Sequence, residues 1–152
     1  MSTITIRFTA SKSIACHIIR WLTWSEYSHV EFKTSTGYVG ALPEGVVWKP
    51  RQYDPHCNYA LAHITVTPQE LVKINEFLKA QIGKPYDFGA IVGIWLHRDW
   101  SHPGKWFCSE LVAATFRAAG IKLVGDMEMK DRITPRDLLY SPLVHIYEVH
   151  QE

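Results

Sequence analysis

The sequence has little of several features that mark common protein classes. Its 152 residues include only three cysteines, Cys16, Cys57 and Cys108, and no CxxC pair. This argues against a disulfide framework and against a thiolate zinc site, so free thiols are expected. Lysine and arginine nearly balance aspartate and glutamate, leaving a formal net charge of +1. Without a basic cluster, we expect no nucleic-acid partner.

Long apolar segments are also missing. The longest apolar run, residues 88–96, is about half of the ~20 residues that a membrane span needs. Residues 1–24 lack the basic segment and uninterrupted apolar stretch of a signal peptide. We therefore expect a soluble protein without stable membrane insertion, either cytoplasmic or delivered by a phage particle or a dedicated secretion route. The absence of an anchor helix or basic amphipathic surface disfavours membrane-lipid chemistry.

The hydrophobic pattern predicts an α+β fold formed by one domain over residues 1–152. Alternating segments predict strands that begin near residues 3, 28, 38, 45, 58 and 143. Helices are predicted after three capping residues, Ser13, Thr67 and Asp87, and again from Cys108 to Gly120. In the first helix, the apolar spacing predicts one buried stripe, which consists of Ile14, Ile18, Trp21 and Leu22.

The helix that begins at Cys108 has no conventional N-cap, because Lys105, Trp106 and Phe107 precede it. A helix N-terminus favours thiolate over thiol, and its uncapped amides can hold the oxyanion that forms on an attacked carbonyl. The same cysteine also lies on the apolar stripe of its helix. A small hydrophobe that fills core volume is therefore an equally good interpretation of this segment alone.

A nucleophilic thiol needs a base, and the sequence contains eight histidines. His29 begins a predicted strand directly after a polar break, and Glu31 shares its face. A strand holds a side chain more firmly than a loop does, which suits a base paired with a thiol. Taken alone, a strand histidine is more often structural than catalytic.

Three segments, in the order "SHVEF", "GKPYDFGAIVG" and "WFCSELVAATFRAAG", resemble the signatures of circularly permuted papain-like enzymes of the NlpC superfamily. The YiiX/YebB-like branch is the most similar, and lecithin:retinol acyltransferase is a distant relative. The resemblance spans about residues 14–139. It implies an antiparallel sheet or half-barrel packed against helices, with a catalytic Cys108 at a helix N-terminus and His29 as its base. It implies no cofactor and no metal.

The third catalytic residue departs from the family pattern. The family draws a polar residue from the strand after the histidine strand, where this chain has Gly40 and Ala41. Glu44 is the nearest carboxylate and the first choice to orient His29, and Glu31 is the second. The aromatic residues around the cysteine have two interpretations. Tyr86 and Trp106 are candidates for substrate binding or for the oxyanion hole, and core packing explains them equally well.

Two other polar segments have structural interpretations, although the first also contains candidate metal ligands. His97, Asp99 and His102 could supply three ligands to a divalent metal, but the loop lacks a fourth ligand, and a solvated loop is the preferred interpretation. Residues 53–57 are interpreted as a turn.

Two classes of function follow from the sequence. One is a thiol hydrolase that cleaves an amide bond in a cell-wall peptide or another amino-acid amide, with a lipid or amino-acid acyltransferase of the same mechanism as its alternative. The other is a catalytically weak binding module that keeps the fold. The partner is thus a peptide, an amino-acid amide or an acyl substrate, and the sequence does not indicate an oligomeric state.

Overall fold

The computed structural model describes residues 1–53, 57–90, 104–125 and 133–152. Its strands are, in chain order, β1 (Ser2–Ala10), β2 (His29–Lys33), β3 (Gly37–Leu42), β4 (Gly45–Pro50), β5 (Asn58–Val66) and β6 (His145–His150). Its helices are α1 (Ile14–Thr23), α2 (Pro68–Gln81), α3 (Cys108–Ala118) and α4 (Pro135–Leu139). The strands form one antiparallel sheet in the spatial order β4-β3-β2-β1-β5-β6. The prediction of an α+β fold is therefore confirmed.

Strand β1 lies between β2 and β5, and its successive side chains alternate between the apolar and the polar face of the sheet. Phe8 is paired with Val30 on β2 and with Ala60 on β5, and all three are fully buried. Arg7 lies on the opposite face, where it is paired with Glu31. Since successive side chains of a strand point to opposite faces, one face builds the apolar core and the other collects polar groups.

Helix α3 covers the apolar face of β2 and β3. Phe32 on β2 and Phe116 on α3 stack with their ring centroids 6.0 Å apart, and both are buried. Helix α2 packs against α3 and β1 and buries Ile74 and Leu78. The core therefore lies between the sheet and these helices, and it fixes the direction in which α3 begins.

The predicted helix starts are confirmed by their caps. Ser13 accepts a hydrogen bond from the Cys16 amide, and Thr67 forms a capping box with Glu70. Asp87 Oδ1 accepts from the Ala90 amide at 3.2 Å, which marks the start of the helix predicted after Asp87. The rest of that helix lies outside the described residues, as does most of the predicted turn at 53–57.

The predicted buried stripe of α1 is wrong. Ile14, Ile18 and Trp21 are exposed, and Leu22 is only partly buried. The helix instead turns Thr23 and the half-buried Cys16 and Ile19 toward the body of the molecule. Amphipathic spacing identifies an apolar face but not what covers it, and here no described segment covers it. In the described ranges, no helix has the length and apolar character needed to cross a bilayer.

Candidate active site

Cys108 is the first residue of α3, and it lies in the apolar core with an exposed fraction of 1%. The preceding residue, Phe107, has extended backbone angles (φ −88°, ψ 151°), and no described side chain caps the helix. The thiol points toward β2, where its sulfur lies 4.0 Å from the carbonyl oxygen of Ser28. The Cys108 sulfur therefore lies next to the first backbone amides of α3, which no side chain caps.

His29, the first residue of β2, contacts two acidic groups at once. Its Nε2 lies 3.3 Å from Oε2 of Glu31, and its ring interacts electrostatically with the Cys108 thiol. Burial by itself would lower the pKa of His29. Hydrogen bonds to Cys108 and Glu31, together with their negative charges, outweigh burial and raise the pKa of His29 to about 10. The imidazolium form is therefore favoured at neutral pH.

Glu31 is 1% exposed and has a second cationic partner in Arg7. Arg7 Nε donates to Glu31 Oε1 at 2.7 Å, and a second guanidinium nitrogen contacts the same oxygen. Burial would raise the pKa of Glu31, but His29 and Arg7 together lower it. The Arg7 guanidinium also lies 3.6 Å from the ring centroid of Tyr38. The sequence pattern did not identify Arg7 or Tyr38 as residues of the candidate site.

The structure corrects the placement of the two candidate carboxylates. Glu44, the first choice to orient His29, is exposed and forms an ion pair with Lys49. Glu31, the second choice, is the carboxylate that contacts His29. The physical reason is the strand period of two, which puts Glu31 on the same face as His29 within one strand. Glu44 lies beyond the end of β3, where solvent and Lys49 satisfy its charge.

Gly40 explains how one strand can hold both His29 and Glu31. A Cβ atom at Gly40 would lie 2.9 Å from Cβ of Glu31 and 3.4 Å from Nε2 of His29. Any larger residue would therefore compress or displace the contact between the imidazole and the carboxylate. The absence of a side chain at Gly40 on β3 therefore leaves the space that the Glu31 side chain on β2 occupies.

A cavity of about 300 Å³ lies beside His29. Its lining includes Tyr86, while Trp106 faces elsewhere, packing on Phe77 and donating its indole N–H to Gln81. Burial raises the pKa of Tyr86, and electrostatic interactions with neighbouring groups such as Glu110 and Asp87 raise it further. The phenol is therefore neutral at physiological pH and able to donate a hydrogen bond into the cavity.

The thiol that lines this cavity is that of Cys16, whereas Cys108 is not among the lining residues. Its sulfur accepts a hydrogen bond from Ser11 Oγ at 3.1 Å. Burial would raise the pKa of Cys16, but hydrogen bonds from Ser11, Ser13 and Ser28 outweigh it and lower that pKa. Neither this thiol nor those of Cys57 and Cys108 form disulfides. Thiol-reactive probes must therefore be assigned to individual cysteines.

The described residues do not provide a metal centre. In those parts of the chain, no group of three or more histidine, cysteine, aspartate and glutamate side chains is arranged to hold a metal ion. Glu31, the carboxylate next to Cys108 and His29, is already engaged by Arg7. The cluster of His97, Asp99 and His102 lies outside the described residues.

The fold is similar to that of a known crystal structure, the metalloprotein yiiX from Escherichia coli O157:H7 (DUF1105). The TM-score is 0.77, and the alignment covers 99% of this chain and 98% of that one at 19% sequence identity. At this identity, the likeness shows a shared fold alone. No family model matches the sequence, and no curated protein matches it.

Replacement of the two candidate carboxylates separates their roles. In a Glu31→Gln variant, we expect the pKa of His29 to fall well below about 10, because the imidazolium loses a charged partner. The Glu44→Gln variant is the matched control and should leave that pKa unchanged. Histidine ring resonances followed by NMR during a pH titration measure the effect. An unchanged value in Glu31→Gln would contradict the assignment.

Insertion of a methyl group at Gly40 tests the steric account of the site. Gly40→Ala should lower the pKa of His29 by displacing Glu31, and should cost about 1–3 kcal/mol of stability through overpacking. Val39→Ala is the control, because Val39 is buried in the apolar core. It should destabilise the fold and leave the pKa of His29 in place. If the pKa of His29 were the same in Gly40→Ala and Val39→Ala, the steric role of Gly40 would be refuted.

The buried ionic groups also predict how stability depends on pH. The raised pKa of His29 stabilises the folded state fully below its ordinary pKa of 6.5, and this contribution is lost as pH rises toward about 10. The lowered pKa of Glu31 stabilises the folded state above 4.5 and is lost at lower pH. Urea unfolding should therefore show maximal stability between pH 4.5 and 6.5. A His29→Gln variant should lose much of the decline above pH 6.5, and an identical decline would count against this origin.

Proposed function

We propose that this chain is a cysteine-dependent hydrolase of the permuted papain-like, NlpC-type fold, which cleaves an amide bond through a thioester intermediate. One observation carries the proposal. The Cys108 thiol, at a helix start without a side-chain cap, interacts with His29 strongly enough to help raise the pKa of its ring, and Nε2 of that ring contacts the buried Glu31. A thiol, a base and a group that orients the base are the parts that nucleophilic acyl transfer needs.

Transfer of the Cys108 proton to His29 gives the thiolate–imidazolium pair from which the reaction begins, in keeping with the raised pKa of His29. The thiolate of Cys108 attacks the carbonyl carbon, and the C=O π electrons move to oxygen to form a tetrahedral oxyanion. When the oxyanion collapses, the C–N bond breaks, and the imidazolium of His29 donates its proton to the departing amine. Water, deprotonated by His29, then attacks the thioester, and the C–S bond breaks, which releases the carboxylic acid and restores the thiolate–imidazolium pair.

We assign the stabilisation of the oxyanion to two kinds of donor. The amide groups of the first turn of α3 begin beside the Cys108 sulfur, and the positive end of the helix dipole lies at the same point. The neutral phenol of Tyr86 supplies an O–H from the wall of the cavity. Loss of a single donor of this kind typically costs about 2.7–4 kcal/mol of transition-state stabilisation.

Glu31 is assigned a positioning role. Its carboxylate fixes the orientation of the imidazole and stabilises the imidazolium, and Arg7 holds the carboxylate itself. The base is therefore held by side chains on two neighbouring strands rather than by a loop. This arrangement restricts the ring before the substrate arrives, which reduces the reorganisation needed in the transition state.

The cavity limits the substrate class. Its lining combines apolar side chains such as Leu42, Pro43 and Phe88 with the hydroxyl groups of Ser11 and Ser13. A volume of about 300 Å³ suits an amino-acid amide or a short peptide, and the nearly buried thiol disfavours a folded protein substrate. Transfer of the acyl group to another acceptor would use the same thioester, so an acyltransferase is the second candidate.

The description of yiiX as a metalloprotein is not transferred to this chain. The described residues offer no ligand cluster for a metal ion, and each step above uses side chains and backbone groups of this chain. A binding module that retains the fold without turnover is the remaining alternative, and the experiment below distinguishes it from an enzyme.

An activated ester provides a test that needs no knowledge of the natural substrate. With p-nitrophenyl acetate, we expect a burst of p-nitrophenol and one acetyl group on Cys108, identified by peptide mass spectrometry. Cys108→Ala should lose the burst. His29→Gln should slow acylation at least about a hundredfold, because the general base is removed.

Cys57→Ala is the matched control, because Cys57 is a second buried cysteine that forms no disulfide. It should keep the full burst. Acetylation of Cys16 alone, or no acetylation of the wild-type protein, would contradict the proposed nucleophile. Acylation of Cys108 without release of the acyl group to water would instead favour an acyltransferase awaiting its acceptor.

A further inference from the structure

Helix α1 carries an apolar face that faces outward. Ile14 is 79% exposed, Trp21 is 74% exposed and Ile18 is 49% exposed. Their spacing of four and three residues puts them on one side of the helix. Trp24, just after the helix, is also exposed. Exposed apolar side chains grouped in this way mark an interaction surface.

The segment that contains this face carries basic but no acidic residues. Residues 11–24 contain Lys12 and Arg20 but no aspartate or glutamate. Lys12 is largely exposed, although its ammonium lies 3.6 Å from Glu152. The next acidic residue along the chain, Glu26, follows the helix. An apolar face flanked by basic residues is complementary to a layer of anionic lipid headgroups over an apolar interior.

The side chains on this face also suit a membrane interface. Tryptophan combines a large apolar ring with a polar N–H, and it is enriched where headgroups meet acyl chains. The helix has ten residues, well below the ~20 that a span requires, so it would lie in the plane of the interface. Its other side supplies Cys16 and Ile19 to the wall of the cavity. The exposed face therefore lies next to the candidate active site.

We propose that α1 is an interfacial docking helix, which seats the protein on anionic lipid membranes through Ile14, Ile18, Trp21 and Trp24. This proposal departs from the expectation, drawn from the sequence, that the chain lacks a basic amphipathic surface. Docking in this way requires no catalysis, so the proposal is independent of the thiol chemistry of Cys108.

Vesicle sedimentation tests the proposal with the full chain. The wild-type protein should co-sediment with phosphatidylcholine vesicles that contain phosphatidylserine, and less with phosphatidylcholine alone. Added salt should weaken the binding, because it screens the attraction of the basic residues. The double variant Ile18→Ser/Trp21→Ser should lower the vesicle partition coefficient at least about tenfold, since it removes apolar area that enters the interface.

The matched control is Val72→Ser/Tyr140→Ser, which removes two exposed apolar side chains outside α1. It should bind vesicles like the wild type, and thermal melts should show that both double variants remain folded. Wild-type protein that stays in the supernatant with both vesicle types would overturn the proposal. So would equal losses in both double variants. Self-association through this face, seen by sedimentation velocity and lost in Ile18→Ser/Trp21→Ser without any vesicle binding, would assign the face to a second copy instead.

Discussion

The ion pair between Arg7 and Glu31 is the interaction on which the site depends. It joins β1 to β2 on the polar face of the sheet, and both side chains are nearly buried. A buried carboxylate without a partner would be protonated or would unfold its surroundings, since an unpaired buried charge costs several kcal/mol. With Arg7 present, Glu31 stays ionised, and an ionised Glu31 in turn holds His29 as an imidazolium.

The sheet brings these groups together through its register. Thr9 is paired with His29 and Arg7 with Glu31, so consecutive pairs on one face of β1 and β2 build the polar side of the site. The opposite face of the same strands packs against α3, which begins at Cys108. One pair of strands therefore supports the apolar core and the ionic network together, and Gly40 on β3 leaves the space that the network occupies.

Much of this arrangement could be predicted from local patterns in the sequence. The alternating strands, the capping residues Ser13 and Thr67, and the uncapped helix at Cys108 all depend on near neighbours along the chain. Arg7 could not be assigned, although it is the only charged residue in residues 3–8, because strand register is a property of the folded sheet. For a related reason, the sequence did not indicate that Glu31 rather than Glu44 would contact His29, and the predicted burial of Ile14, Ile18 and Trp21 was wrong. A pattern shows which residues share a face, and only tertiary packing decides what that face meets.

The separation of Ser28 and Cys108 by 80 positions in the chain has a consequence for biosynthesis. A ribosome completes β1 and β2, with Arg7, His29 and Glu31, long before it makes Cys108. Until α3 has been translated and docked onto the sheet, the nascent polypeptide holds His29 and Glu31 without the sulfur. Premature termination or a proteolytic cut before residue 108 would therefore yield a fragment that carries these two residues but lacks Cys108.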